Sequence, residues 1–308
     1  MANTLGTLAG TLILMRALEL VFTKRPLLKN ISLGLKDLDG AAAPLLKGQT
    51  AITRIKTIPT IGNFGTGPQA FVTTDVPVVM TDEKELHIQF TREELNTTNR
   101  DLVDESAEPI AVAIANYFVD LVATLWTPAN FPNETVVASG WTYVNTLLAL
   151  RAALNTRGIS EMRRFLTHST AVGTALLGDE MVVAALNNPA NGNAIERGEL
   201  PRVANFGLEE YPALPSSNNL VGFAGTPDST LLAVRPHKNP EEAIGGLKFP
   251  GNFGYIEEPK SGLTLAVSQW IDPSTLAVNS RLSWIQGVAK GDAARGQRLV
   301  TAATGSAS

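Results

Sequence analysis

The sequence predicts a soluble α+β protein, and three observations lead to this prediction. Residues 76–80 and 86–90 alternate apolar and polar side chains, with the period of two that is typical of half-buried strands. Residues 104–126 are rich in apolar side chains at helical spacing. Residues 40–75 combine β-type runs with a Gly-rich segment, which predicts an extended arm.

The composition of the 308-residue chain limits its class. Charged residues make up 18%, the formal net charge is −4 at pH 7, and there is no cysteine. This composition does not indicate tight binding to nucleic acid, because tight binding to phosphates needs a surplus of lysine and arginine. The lack of cysteine excludes disulfides, thiolate nucleophiles and sulfur-ligated metals, so packing and hydrogen bonds must hold the fold together.

The N-terminal region predicts an amphipathic helix rather than a signal peptide. Apolar side chains recur at helical spacing at Leu8, Leu12, Met15, Leu18 and Phe22. The region lacks a basic n-region, and Arg16 and Glu19 interrupt its apolar run. Pro26 ends any continuous helix, because proline cannot continue the hydrogen-bond pattern.

Residues 40–75 predict a long extended hairpin or loop. A β-type run, AITRIKTI, leads to a Gly-rich tip around 63–68. An arm of this length is unusual in a compact domain unless it is functional or pairs with another chain. Within it, GTGPQA (65–70) matches a dinucleotide fingerprint, but the next residues are extended and interrupted by proline where that site needs a helix.

The stretch VPVVMTDEKELHIQFTREEL (76–95) could be a catalytic cluster or a structural hairpin. Its acids, Asp82, Glu83 and Glu85, fall at the expected turn and on the outward face, where water solvates them. Thr91 and Glu94 form a capping box at the start of a helix. We therefore expect a structural hairpin with a solvated acidic turn.

The rest of the chain mixes helices and strands. The strongest helix, 104–126, has acids in its first turn and Pro109 near a permitted N-terminal position. A second helix, 141–158, ends at Gly158 as its C-cap. The segments after it predict a strand in MRRFLTHS (162–169), a helix over a loop in 171–187, and β-rich runs over 219–236 and 263–291.

The motifs indicate no active site, so we predict no catalytic, cofactor-binding or metal-binding residues. The chain has no G-x-x-x-x-G-K-[ST], H-E-x-x-H or G-x-S-x-G motif. His168 adjoins Ser169, but neighbouring residues on a strand point to opposite faces, which argues against joint catalysis. Asp37-x-Asp39-Gly40 hints at a calcium loop but lacks the remaining ligands and the terminal glutamate.

Several phrases, taken in order, resemble one family. They are LVFTKRPLLKN (20–30), KGQTAITRIKTIPT (47–60), MTDEKELHIQFTREELNTT (80–98), DESAEPIAVAIANYFVDLV (104–122), RRFLTHSTAVGTAL (163–176), VGFAGTPDSTLLAVRP (221–236) and SWIQGVAKGDAARGQRLV (283–300). Their order and spacing resemble the major capsid (coat) proteins of tailed double-stranded DNA bacteriophages, in particular the coat family of short-tailed phages. The resemblance covers nearly the whole chain.

The resemblance implies the tailed-phage major capsid protein fold. Its long "spine" helix corresponds to the phrase that contains Glu108, Pro109, Ala115, Asn116 and Asp120. The implied division of the chain is 1–44 N-terminal arm, 45–75 extended loop, 76–139 peripheral domain with the spine helix, 140–280 axial domain, and 281–308 return to the peripheral domain and C-terminal tail.

The resemblance also implies a function without catalysis. The chain would self-assemble through hexamers and pentamers into the icosahedral phage head that encloses the double-stranded DNA genome. It would assemble in the host cytoplasm and become part of the virion, with no cofactor and no membrane. The implied partners are other copies of the chain, a scaffolding protein, a portal, a cementing protein, and packaged DNA held by weak contact.

Contacts between copies are expected in the N-terminal arm and the extended loop. The expected contact residues are Lys24, Arg25, Arg54, Lys56, Phe64 and Phe71. Two alternatives stay open. One is an enzyme or binding domain with 45–75 as a lid and either His168 or the acids of 82–87 at a pocket. The other is a bacterial nanocompartment shell, which would share the fold.

Overall fold

The computed structural model describes most of the chain. The described residues are 5–28, 46–56, 73–91, 93, 102–137, 143–159, 163–179, 203–215, 217–239, 251–258 and 262–301. The chain forms two compact units. Unit 1 comprises Met1–Arg25, Ser32–Tyr117 and Leu232–Ala289, and unit 2 comprises Pro26–Ile31, Phe118–Leu231 and Lys290–Ser308.

Unit 1 contains a two-stranded antiparallel sheet at the place of the predicted extended arm. Strand β1 (Thr50–Lys56) pairs with β2 (Thr73–Val79), with Thr50 opposite Val79 and Lys56 opposite Thr73. The hairpin predicted within 40–75 is therefore present, but its second strand continues to Val79, into the run that was assigned to the next hairpin. The Gly-rich tip of the hairpin lies outside the described residues.

The main sheet of unit 1 is antiparallel along the strand order β3-β11-β10-β9. Its strands are β3 (Asp82–Phe90), β9 (Asn252–Glu258), β10 (Leu263–Ile271) and β11 (Val278–Lys290), and β8 (Thr230–Pro236) also pairs with β11. Residues of β10 are buried from Leu263 to Gln269. This central strand is therefore covered on both faces.

The prediction of a hairpin over 76–90 is wrong. Strand β2 pairs with β1, whereas β3 pairs with β11, so the two alternating runs belong to different sheets. Between them, the Met80 N–H donates to the Gln49 carbonyl and the Thr81 N–H donates to the Gln286 carbonyl, each turning the chain toward its own sheet. Asp82, Glu83 and Glu85 consequently lie in a strand and not in a turn, although they are exposed as expected.

Helix α1 (Leu5–Lys24) confirms the predicted N-terminal helix and ends before Pro26. Its buried face includes Leu14, Leu18 and Phe22. Met15 is 44% exposed and does not belong to this face, contrary to the prediction. The buried residues follow a stripe of three- and four-residue steps from Leu14, and Met15 falls about a quarter-turn outside it.

Helix α2 (Leu102–Ala123) is the long helix predicted over 104–126. It begins earlier than predicted, so Pro109 lies inside the helix and not in its first turn. A proline there removes one backbone hydrogen bond, which costs stability and favours a bend. The window Ser106–Ala123 is long and apolar enough to cross a membrane by length and composition, and half of it is buried within the protein. Core helices of soluble proteins share these features.

Unit 2 is built on a mixed sheet of strand order β4-β12-β7-β5-β6. Its elements are β4 (Glu134–Val136), α3 (Tyr143–Thr156), β5 (Phe165–His168), α4 (Thr170–Leu177), β6 (Gly207–Glu210), β7 (Leu220–Gly225) and β12 (Gly296–Val300). The core comprises Val144, Leu147, Leu150, Leu154, Leu166, Val172, Leu176, Phe206, Ala224 and Leu299. The helices α3 and α4 therefore bury apolar side chains against this sheet.

The sequence predicted some boundaries of the unit 2 elements and missed others. Gly158 has φ +70° just after α3, which confirms the predicted C-cap, because glycine adopts this conformation without strain. The strand predicted in 162–169 is β5. The helix predicted over 171–187 ends at Leu177, and residues 180–202 lie outside the described part of the chain.

Candidate functional site

The hairpin β1–β2 has one buried face and one exposed face. Ala51, Thr53, Ile55 and Val78 are buried, whereas the alternate residues of β1, including Arg54, are exposed. The exposed apolar side chains are Ile52 at 39% and Val79 at 46%. The hairpin is thus fixed on one face and presents apolar and polar groups on the other.

Arg54 lies on the exposed face and has a partner across the hairpin. Its Nε donates to Asp75 Oδ1 at 2.8 Å, and the two side chains are 48% and 52% exposed. The register places Arg54 opposite Asp75, so β-pairing positions this ion pair. A pair this exposed contributes about 0–1 kcal/mol to stability, which leaves both groups able to exchange partners.

Lys24 and Arg25 lie at the end of α1 and contact α2. Lys24 Nζ pairs with a Glu108 carboxylate oxygen, and Arg25 Nε donates to Asn116 Oδ1 at 2.8 Å. Glu108 and Asn116 are about two turns apart on α2, so they lie on the same side of the helix. The structure therefore gives both cations a role within the subunit, and their contact with another copy stays a prediction.

The remaining expected contact residues are only partly described. Lys56 is the last residue of β1 and lies opposite Thr73. Phe64 and Phe71 lie outside the described residues. Of the expected contact residues, the structure thus groups Lys24 with Arg25 and places Arg54 with Lys56 on β1. The expected roles of all of them at contacts between copies stay predictions.

Two acids of β3, Glu83 and Glu85, line a cleft in unit 1 with a volume of about 410 Å³. Its lining residues are Glu83, Lys84, Glu85, His237, Lys238, Phe253, Arg281 and Ser283. Arg281 Nη1 lies 3.4 Å from Glu85 Oε2, so one ion pair lies inside the cleft. Sequence reasoning missed this arrangement because β11 brings Arg281 beside β3 from almost two hundred residues away.

His237 is the titratable imidazole of this cleft. Burial lowers its pKa below the ordinary value; the nearby Glu83 and Glu85, together with a hydrogen bond to the Trp284 backbone, oppose that shift, and Arg281 reinforces it. The result favours the neutral ring near pH 7. No sequence motif marks His237, since its neighbours come from other strands.

His87 takes part in a cross-strand stack in unit 1. Its ring lies 5.3 Å from Trp270 at an interplanar angle of 26°, and the guanidinium carbon of Arg281 lies 5.4 Å from the Trp270 ring centre. His87 Nε2 is 3.0 Å from Asn279 Oδ1. These contacts join β3, β10 and β11, which gives His87 a structural role.

His168 is only 3% exposed and belongs to the sheet of unit 2. Its Nδ1 donates to the Ser169 backbone carbonyl at 3.1 Å, so its contact with Ser169 is to the backbone. Burial lowers the pKa of His168, opposed by this hydrogen bond and by the charge of Glu210. The other candidates for a pocket, the acids of β3, belong to unit 1. In the described residues, no group of three or more His, Asp or Glu could hold a metal ion.

No protein-family model matches this chain, and no curated protein matches it either. Solved structures do. The capsid structure of the cyanophage P-SCSP1u has a TM-score of 0.54 with 12% identity, over 89% of this chain and 89% of that chain. A structure from Mycobacterium phage Che8 has a TM-score of 0.51 with 10% identity, over 82% of this chain and 85% of that chain.

These likenesses extend over most of both chains, but the sequence identities are low. At such identities they establish the fold, which is a phage capsid fold with mixed helices and sheets. The fold class predicted from the sequence phrases is thus confirmed. The narrower resemblance to the coat proteins of short-tailed phages stays a prediction.

Proposed function

We propose that this chain is a major capsid protein that self-assembles through hexameric and pentameric capsomers into an icosahedral phage head. The observation that carries the proposal is the likeness to the cyanophage P-SCSP1u capsid over 89% of both chains. It agrees with the ordered phrases of the sequence from Leu20 to Val300, which resemble the same class of protein. The chain would act as a structural component of the virion, without catalysis.

The hairpin β1–β2 supports this proposal at the level of surface chemistry. It buries one face on its own subunit and exposes Ile52, Val79 and the Arg54–Asp75 pair on the other. A two-stranded hairpin is marginal by itself, and its exposed face would gain stability against a neighbouring copy. We propose that this face, with the N-terminal arm, makes contacts between copies.

The overall charge is consistent with a shell around DNA. A net charge of −4 gives no strong affinity for phosphates, so packaged double-stranded DNA would touch the inner surface only weakly. We further propose a scaffolding protein, a portal and a cementing protein as partners, and assembly in the host cytoplasm. We also propose the division into N-terminal arm, extended loop, peripheral domain and axial domain with the ranges predicted from the sequence. The described sheets cross these ranges, because β9 and β10, within 140–280, lie in the sheet that contains β3, and β12, within 281–308, pairs with β7.

A second candidate function rests on the cleft of unit 1. Glu83, Glu85 and His237 line a cleft of about 410 Å³, which is within the size range of ligand sites. In this alternative the chain is an enzyme or binding domain with residues 45–75 as a lid. It would remain a monomer or small oligomer, whereas a capsid protein would form shells.

Negative-stain electron microscopy of the purified chain, alone and co-expressed with its genomic neighbours, separates the two. We expect closed icosahedral shells or capsomer-like rings in at least one of these conditions. A uniform small particle in both would overturn the capsid proposal and make the cleft the next target. Shells that never contain DNA when a packaging system is present would instead favour a nanocompartment.

A further inference from the structure

The base of the hairpin β1–β2 is held against β11 by backbone contacts. The Gly48 N–H donates a hydrogen bond to the Met80 carbonyl at 2.8 Å, and the Met80 side chain is fully buried. One residue later, the Thr81 N–H donates to the Gln286 carbonyl at 3.0 Å. The place where the hairpin leaves the sheet is therefore fixed at Gln286.

Gly287 allows the hairpin to approach β11 this closely. A Cβ atom at Gly287 would overlap the carbonyl oxygen of Val79 and would lie 2.9 Å from its carbonyl carbon. Both atoms are backbone and cannot rotate away as the end of a side chain could. The last residue of β2 thus lies directly on the Cα of Gly287, and any larger residue would push the hairpin outward.

The side chain of Gln286 continues the connection to α2. It is fully buried, its Oε1 accepts from Trp284 Nε1 at 2.8 Å, and its Nε2 donates to the Tyr117 hydroxyl. The Tyr117 ring also meets Trp284 edge to face, at 6.2 Å between ring centres. A buried amide with both ends bonded in this way resists rotation, because breaking either bond leaves a polar group unsatisfied.

We propose that Gln286 is a positioning residue that sets the direction of the hairpin β1–β2 relative to α2. Its backbone carbonyl holds the chain at the base of the hairpin, its side chain holds Tyr117 of α2, and the neighbouring Gly287 fixes the distance of approach. The consequence for assembly rests on the proposed function: in a shell, the direction of the arm decides which surface of a neighbouring copy it meets.

The chain contains no cysteine, so a spin-label pair can be introduced without removing native thiols. We would place cysteines at the exposed positions Thr73 on β2 and Ala113 on α2 and measure the distance between labels in the unassembled chain by pulsed electron paramagnetic resonance. The native background should give a single narrow distance distribution. Gln286→Met, which keeps the volume but removes both hydrogen bonds, should broaden the distribution or shift its maximum.

The matched control is Gln269→Met. Gln269 is also a buried glutamine of the same sheet, and its amide donates to Ser280 Oγ at 3.2 Å. It should lose comparable stability while leaving the label distance unchanged. Equal distributions for the native background, Gln286→Met and Gln269→Met would overturn the proposal, as would a native distribution already as broad as that of Gln286→Met.

Two further variants keep the test decisive if Gln286→Met does not fold. Tyr117→Phe removes only the hydroxyl that meets Gln286, and Gly287→Ala adds only the methyl group that meets Val79. Each should broaden or shift the distance distribution, and unchanged distributions in both would overturn the proposal. Because the distance is measured before assembly, its outcome is independent of whether the chain forms shells.

Discussion

At the scale of single residues, His168 shows how burial couples the protein to pH. The ring ends β5 with 3% of its surface exposed. Burial disfavours the charged imidazolium and lowers the pKa, while the Ser169 carbonyl and Glu210 oppose this shift without reversing it. In the unfolded chain the same histidine titrates with a pKa of about 6.5. The unfolded chain therefore binds a proton at a higher pH than the folded chain does.

We expect the free energy of unfolding to fall as the pH drops through about 6.5, and the contribution of His168 to the pH dependence to vanish well above that value. The slope for one proton is at most about 1.4 kcal/mol per pH unit. Urea unfolding of the unassembled chain between neutral and mildly acidic pH measures it. His168→Gln, which cannot be protonated in this range, should have a flatter pH profile than the native chain.

His237→Gln is the matched comparison for this prediction. Burial also lowers the pKa of His237, so each histidine contributes its own part of the loss in acid. Each single variant should retain the part due to the other histidine, and the double variant should be the flattest. If His168→Gln and the native chain lost stability in parallel from neutral to acidic pH, His168 would not be a source of the pH dependence.

At the scale of secondary-structure elements, an aromatic cluster holds the strands of unit 2 together. Phe223 of β7 is fully buried and stacks on Trp126 at 4.7 Å with an interplanar angle of 4°. Phe131 meets the same ring edge to face at 4.8 Å, and Phe165 of β5 lies at 6.2 Å. Gly296 of β12 packs directly against this cluster. A Cβ atom at this position would lie 2.8 Å from Phe223 Cζ, so a larger residue would not fit beside the ring.

Phe223→Ala should lower the free energy of unfolding by about 3–5 kcal/mol, because it removes the ring that all the other rings of the cluster contact. Urea denaturation measures the loss. Phe253→Ala is the control, since Phe253 is only partly buried and its ring meets Tyr255 edge to face at 5.4 Å between ring centres. Equal losses for the two variants would mean that the cluster does not stabilise unit 2 beyond ordinary burial.

Elements with a strong local pattern were predictable from the sequence. The alternation of β1, the long apolar run of α2 and the glycine after α3 depend on neighbours within a few residues. Pairing between distant strands was not predictable in this way. The turn expected at Asp82 is instead the start of β3, because β11 supplies a partner strand whose residues follow β3 by almost two hundred positions.

In the candidate site, too, local features were predictable from the sequence and contacts between distant residues were not. The exposure of Arg54 follows from the alternation in AITRIKTI, but its partner Asp75 depends on the register of the hairpin. The contact of Arg25 with Asn116 depends on how α1 meets α2, which no periodicity encodes. The cleft around His237 needs β3, β9 and β11 together, and therefore had no local signal in the sequence.

At the scale of the whole molecule, exposed charge on the hairpin is the most direct way to alter assembly without unfolding the chain. Arg54→Glu together with Lys56→Glu should block or distort shells, because the exchange of two cations for carboxylates reverses the charge that β1 offers to another copy. The structure adds one complication. Arg54→Glu places a second carboxylate opposite Asp75, so a failure of assembly could arise from repulsion inside the hairpin.

A charge exchange separates the two causes. Arg54→Asp with Asp75→Arg restores an ion pair in the hairpin but reverses the charge that each position presents to a neighbouring copy. Lys56→Glu alone is free of this complication, since Lys56 lies opposite Thr73. We expect both variants to give folded subunits by circular dichroism and few or distorted shells by electron microscopy. We also expect native shells to become less stable at high salt, because salt screens charges that lie more than about 10 Å apart. Normal shells from the exchanged pair would mean that Arg54 acts only within its own hairpin. If Lys56→Glu also gave normal shells, the cations of β1 would have no role in the contacts between copies.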